Sequence, residues 1–384
     1  MNELYTIISI FVTGGLMLAT GMIFIFTVIP ERPLLSNYRK ARSMMSVACF
    51  FFAAAGIAEY LLQDLSPSAG NISLMQTVTL AIAASQALLF TFAMLSLLNV
   101  QFPGWRYIFS EASFVLLFIV AVSAAYIFLP DSVFKIAFYG FASLYALLMA
   151  HYTFLFIKNY RRFRTQMDNY FSDVESGRMR WIAFSFFAAL TVGVTALLSS
   201  IFMSTLVALI FAVIFDTFYI YFAVRFINYA HRFHVIERAM NCETPAIIAD
   251  TPCMSHVTPY RPSSGSEVTG MNVETFAMLE KRIEEWTSGK GFTKRGITID
   301  ALAATLGTNS KYLSLYINTC KKQTFRKWIN ELRIEEAKTL LRQSRMTVHE
   351  IALHVGYSYE SHFGQQFRAS THISPSGYRQ QETR

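Results

Sequence analysis

Apolar residues fill long, nearly unbroken runs over the first 230 positions and recur only at helical spacing after residue 271. About 20 apolar residues in a helix cross a ~30 Å hydrocarbon core. Seven runs reach that length, at about 4–30, 43–63, 72–100, 112–130, 133–157, 181–203 and 205–227. The last two are almost continuous. One helix from Trp181 to Tyr229 would be about 70 Å long at ~1.5 Å per residue, so a turn near "SSIFMST" is required. Residues 230–270 carry no stripe and are rich in Pro, Ser, Thr and Gly, the composition of a flexible tether. The expected organisation is a seven-span region at 1–229, a linker at 230–270 and a helical domain at 271–384.

Charge sharpens the division. The whole chain is 53% hydrophobic and only 15% charged, with a formal net charge of +8. Residues 271–384 hold 17 Lys and Arg against 11 Asp and Glu, a surplus of six. A greasy body with a basic tail points to a membrane anchor and a polyanion-binding head. Loop charge gives an orientation. Arg32, Arg39, Lys40 and Arg42, then Arg106, then Lys158, Arg161, Arg162, Arg164, Arg178 and Arg180 all fall on one side. The loops "DLSPSAGN" and "PDS" carry no Lys or Arg. The basic side is cytoplasmic by the positive-inside rule, which places the N-terminus outside and the C-terminus inside. Glu3 and the length of the first run argue against a cleaved signal peptide.

Ionisable and amide groups inside apolar spans mark function or interhelical bonding. Asp216 lies near the middle of span seven, Glu59 about one turn inside the outer end of span two, His151 in the inner half of span five and Gln86 in mid-span three. Asp216 is too deep to snorkel, and with Glu59 it is expected to line a polar pocket that senses a small molecule or the state of the membrane. No HExxH, GxSxG or GxxxxGK[ST] motif is present, so neither an enzyme nor a cofactor is expected. The four cysteines (Cys49, Cys242, Cys253, Cys320) lack CxxC spacing and read as reduced thiols. His231, His234, Cys242, Cys253 and His256 are too loosely spaced for a zinc site, and no metal is expected.

The tail contains a repeat. In "TVHEIALHVGYSYESHFGQQF", Thr347 and Glu350 spell a capping box, and Val348, Ile351, Ala352 and Val355 form an apolar face. Gly356 turns the chain, and Phe363 and Phe367 anchor a second helix. Ile299, Leu302, Ala303, Leu306 and Gly307 repeat the first half at a constant offset of 49, with Leu313 and Ile317 answering the phenylalanines. Two helix-turn-helix units are therefore expected at about 298–318 and 347–369. Between them "TFRKWINELRIEEAKTLLRQS" is a helix burying Phe325, Trp328, Ile329, Leu332, Ala337, Leu340 and Leu341. Such a rod spans ~30 Å, matching the ~34 Å between successive major grooves on one face of DNA. Residues 275–288 form a further amphipathic helix, for dimer contact or for domain packing.

"RIEEAKTLL", "EIALHVGYSYESHFGQQF" and "ISPSGYR" together resemble the DNA-binding domain of the AraC/XylS family of bacterial transcription factors, over about 293–381. The resemblance implies promoter DNA as a partner, a homodimer, contact with RNA polymerase, and base reading by both second helices. The matching positions are Lys311, Ser314 and Leu315, then Glu360, Ser361, His362 and Gln365. Lys321, Lys322, Arg326, Arg345 and Arg368 are expected to contact phosphate. Leu315 stands where the family often has Arg, and His372 where it usually has Gly before "SP". His349, His354 and His372 read as ordinary surface or turn residues. The fold class expected is all-α: a seven-helix transmembrane bundle plus a cytoplasmic all-helical double helix-turn-helix domain, acting as a signal-controlled regulator. The rival readings are a receptor or scaffold whose basic domain binds a protein, and a transporter-like body with a regulatory tail.

Overall fold

A computed structural model describes residues 12–28, 35–65, 72–98, 105–172, 180–202, 205–241 and 273–382. Among them there is no strand, only one isolated bridge, between Phe171 and Thr298. The chain divides into two compact units. The first comprises Met1–Phe163 and Met179–Arg238, the second Arg164–Arg178 and Ala239–Arg384.

The first unit contains α1 (Gly15–Phe26), α2 (Ser36–Leu65), α3 (Ile72–Leu98), α4 (Trp105–Phe128), the upstream part of α5 (Asp131–Tyr170), α6 (Arg180–Phe202) and most of α7 (Thr205–Asn241). These seven helices coincide in position with the seven apolar runs. Five of them, α3 to α7, are long and apolar enough over their described residues to cross a membrane; α1 is a shorter apolar helix. α3 is central, packing against α2, α4 and α6. Aromatic rings fill the interior: Phe156 stacks on Phe186 at 3.8 Å, and Tyr38 stacks on Phe226 at 4.9 Å while its hydroxyl donates to the Phe226 carbonyl at 2.9 Å. That bond satisfies a buried phenol, and it ties α2 to α7. Residues 203 and 204, in the stretch where the length argument required a turn, lie outside the described residues.

The second unit holds α8 (Val273–Ser288), α9 (Ile299–Thr305), α10 (Ser310–Cys320), α11 (Phe325–Gln343), α12 (Val348–His354), α13 (Glu360–Thr371) and α14 (Pro375–Glu382). α11 is the rod. Its buried face is Phe325, Trp328, Ile329, Ile334, Ala337 and Leu341, with Leu332 and Leu340 half-buried. One buried residue on that face is an arginine, Arg333, which the apolar stripe alone does not mark. α8 packs within the domain: Leu279 and Ile283 are buried, Phe276 meets Tyr316, Trp286 meets Trp328, and Arg282 donates to the Leu306 carbonyl at 2.7 Å. Of the two roles open to this helix, domain packing is the one these contacts fill. Cys49 is buried and free, but Cys320 is disulfide-bonded, which corrects the expectation of a reduced thiol there. Sequence spacing holds no information about which thiols approach in space. The expected linker is helical at its start, since α7 continues through His231 and His234 to Asn241, which moves its beginning to residue 242; residues 242–270, with Cys242, Cys253 and His256, lie outside the described residues.

Candidate nucleic-acid interface

The two hairpins repeat down to single backbone hydrogen bonds. Thr298 caps α9 by accepting from the Ala301 N–H at 3.2 Å, and Thr347 caps α12 by accepting from the Glu350 N–H at 3.2 Å. Both first helices have seven residues. After α9, the N–H groups of Gly307 and Thr308 donate to Ala304 and Ala303; after α12, those of Gly356 and Tyr357 donate to Leu353 and Ala352. The glycines take positive φ, +63° and +97°, which redirects the chain without a Cβ penalty. Ala303 and Ala352 are fully buried at the close approach of paired helices.

Glu350 completes the capping box. The Thr347 backbone N–H (2.7 Å) and hydroxyl (2.9 Å) both donate to its carboxylate, and these bonds hold the Glu350 pKa below the ordinary glutamate range. A carboxyl depressed by folding stabilises fully above its unfolded pKa of ~4.3 and loses that contribution as pH falls through the depressed value. Glu350→Gln should therefore lower the melting temperature above about pH 5, and the gap from the native chain should close on acidification. A gap independent of pH between 2 and 6 would refute this role.

Residues 302–381 match the family model described as a helix-turn-helix domain. The chain is 37% identical over 54 residues to the HTH-type transcriptional regulator MtrA of Neisseria gonorrhoeae, covering 14% of this chain and 18% of that protein. It is 33% identical over 85 residues to the uncharacterized HTH-type transcriptional regulator YijO of Escherichia coli (strain K12), covering 22% and 30%. Residues 302–381 are thus a helix-turn-helix domain. The chain spans less than a third of the length of these curated relatives. Among solved structures, the C-terminal domain of AraT, a response regulator from Geobacillus stearothermophilus, matches at 27% identity over 27% of this chain and 84% of that one, TM-score 0.25. A transcriptional regulator from Chromobacterium violaceum, titled as an AraC-type DNA-binding domain-containing protein, matches at 22% identity over 29% and 98%, TM-score 0.26.

In the helix-turn-helix domain the residues matched to base reading divide by exposure. Lys311 of α10 is exposed, Leu315 half-buried and Ser314 only 4% exposed, its hydroxyl accepting from Asn318 at 3.2 Å. A hydroxyl buried in this way cannot meet a base edge, so the expectation for Ser314 is corrected: it packs the hairpin. On α13, Glu360, Ser361 and Gln365 are exposed and His362 is half-buried against Tyr359. The Glu360 carboxylate also lies 3.3 Å from His349 of α12, which links the two helices of the second hairpin. Lys321, Lys322, Arg345 and Arg368 are exposed. Arg326 is not: its guanidinium bonds Asp168 at 2.8 Å. His372 adopts φ +64° at the end of α13, with its N–H on the Arg368 carbonyl at 2.8 Å, so it fills the left-handed turn position where a glycine is usual.

Sequence reasoning missed Arg333. Fully buried, it donates from Nε to the Phe292 carbonyl at 2.9 Å and from Nη2 to the Lys294 carbonyl at 2.8 Å, and it lies 5.5 Å from the Tyr357 ring. It thereby joins the rod, the segment before the first hairpin and the turn of the second. The signal was present: Arg333 stands four residues after Ile329 and four before Ala337, on the buried stripe.

The polar groups of the apolar unit each have their own partners. Gln86 donates to the Tyr219 hydroxyl. Asp216 accepts from the Thr13 hydroxyl at 3.2 Å through one oxygen, and its other oxygen is buried without a partner among the described residues. His151 lies 3.4 Å from Glu111, which also faces the Tyr152 hydroxyl at 3.5 Å; Glu111 was not anticipated. The Glu59 side chain, expected to line a polar pocket with Asp216, lies outside the described residues. A cavity of about 30 Å³ sits beside Gln86, Tyr145, Tyr152 and Gly193.

Proposed function

We propose that this chain is a membrane-anchored transcriptional regulator whose helix-turn-helix domain binds promoter DNA under the control of a signal received at the membrane. The observation that carries the reading is the pair of matching hairpins on one rod. α11 has 19 residues, about 28 Å at ~1.5 Å per residue, close to one groove repeat of ~34 Å. Exposed Lys311 on one second helix, and Glu360, Ser361 and Gln365 on the other, offer donors and acceptors suited to base edges. Lys321, Lys322, Arg326, Arg345 and Arg368 are the phosphate contacts of this reading.

Membrane anchoring draws support from the outward apolar surface of the first unit, where Leu116, Leu117, Ile136, Leu147 and Phe154 are each more than 60% exposed. A surface of that kind fits lipid better than water. In this reading all seven helices span the cytoplasmic membrane, with the N-terminus outside and the helix-turn-helix domain in the cytoplasm. Glu59, Gln86, His151 and Asp216 belong to the region that responds to a small molecule or to the membrane itself. The response changes how two heads of a homodimer are presented, and pairing two weak heads raises effective concentration steeply. Contact with RNA polymerase follows as the output step.

Salt dependence tests the DNA step. Four or five phosphate contacts per head give a log–log slope near −4, so the affinity of the full chain in nanodiscs for promoter DNA should fall about 10²-fold between 50 and 200 mM salt. No binding at low salt to any DNA upstream of genes would end the reading and favour a protein partner.

A further inference from the structure

The second unit contains a segment far removed in sequence from the rest of it. Residues 164–170 end α5, and 171–172 follow; all belong to the same compact unit as the helix-turn-helix domain. Four contacts fasten this strap. The Asp168 carboxylate bonds the Arg326 guanidinium at 2.8 Å, with both side chains less than a quarter exposed. The Tyr170 hydroxyl donates to Asp300 at 2.6 Å. Phe171 bridges Thr298, and the Ser172 N–H donates to the Ile297 carbonyl at 3.0 Å.

All four land at one place on the head. Thr298 is the N-cap of α9 and Asp300 lies in its first turn, while Arg326 is the second residue of the rod. The strap thus grips the start of the first hairpin and the start of the rod together. A carboxylate and a DNA phosphate present the same planar or forked oxygen pattern to a guanidinium, and one guanidinium face cannot serve both. We propose that residues 168–172 are an intramolecular latch, in which Asp168 occupies Arg326 in place of DNA phosphate. The latched head is the weaker DNA binder, and release of the strap makes the rod's first turn available to the duplex.

The latch is built to open. Its ion pair is partly solvated, and the buried Asn169 side-chain oxygen beside it has no hydrogen-bond partner among the described residues, a cost borne only while the strap is docked. Its position gives it a direct lever, because the strap ends the helix that begins at Asp131 within the apolar unit. A stimulus that shifts or twists this helix acts on Asp168 through continuous backbone.

The inference rests on the DNA-binding reading, and the full chain in nanodiscs tests both. Asp168→Asn keeps the shape and removes the charge; Asp168→Asn with Tyr170→Phe removes both side-chain contacts. The single variant should bind promoter DNA about two- to fivefold more tightly than the native chain, and the double variant about tenfold. Freeing Arg326 should also steepen the salt slope by about one unit, a change that a merely structural contact would not produce. Hydrogen exchange of the Ser172 amide should quicken in the double variant. Unchanged or weaker DNA affinity in the variants, with the native chain still binding DNA, would overturn the latch alone. If neither native chain nor variants bind DNA at any salt, the regulator reading falls and the competition with it.

Discussion

Replacing Arg333 with alanine should destabilise the helix-turn-helix domain by about 3–5 kcal/mol. Two backbone carbonyls lose a charged donor, that of Phe292 in a buried place and that of Lys294 in a partly buried one, and each such bond is worth about 1.5–3 kcal/mol. The missing side chain also leaves a void beside Tyr357. Arg333→Met separates these effects, since it restores much of the volume and none of the donors. Methionine should recover the smaller part of the loss. Urea titration of the full chain in micelles, read by pulse proteolysis of the head, measures the change. A shift under 1 kcal/mol would mean that the two carbonyls find other donors and that Arg333 is not the tie described above.

Gly356→Ala should cost about 3 kcal/mol or more, whereas Gly307→Ala should cost only about 1–2 kcal/mol, although the two glycines occupy the same place in the repeat. Gly307 has φ +63°, inside the left-handed basin that other residues can enter at modest cost. A Cβ there would meet Arg282 Nη1 at 2.7 Å, the movable end of a long side chain. Gly356 has φ +97°, outside that basin, and a Cβ would lie 2.4 Å from the Thr293 carbonyl oxygen and 3.0 Å from Arg333 Nη2. Backbone cannot step aside as a side chain can. The same urea titration compares the variants, and equal losses at the two positions would refute the account. Because Gly356 and Arg333 share the Thr293 neighbourhood, their substitutions should combine non-additively.

Within each hairpin the amino-acid sequence was a sufficient guide. Capping residues, a period of 3.6 and a turn glycine all act over a few positions, so Thr347, Gly307 and Gly356 could be assigned before any fold was known. Among the described residues the apolar runs are helical as well, five of the helices being long and apolar enough to cross a membrane, because the length of an apolar segment is a local property. The candidate interface was legible only in part. Ser314 and Gln365 are both polar residues on second helices, yet one is buried and the other exposed. The registration of α10 against its neighbours decides that, and no local pattern encodes it.

What the linear chain determined by itself is the kind of each element and the division into a greasy part and a basic, twice-repeated part. The tertiary structure alone decided that Arg333 is an internal tie and that Arg326, outwardly one more basic residue, meets Asp168 from 158 positions away. The reason is physical: helix formation and capping depend on neighbours within about one turn, whereas pairing of distant charges depends on how packed elements bring their surfaces together.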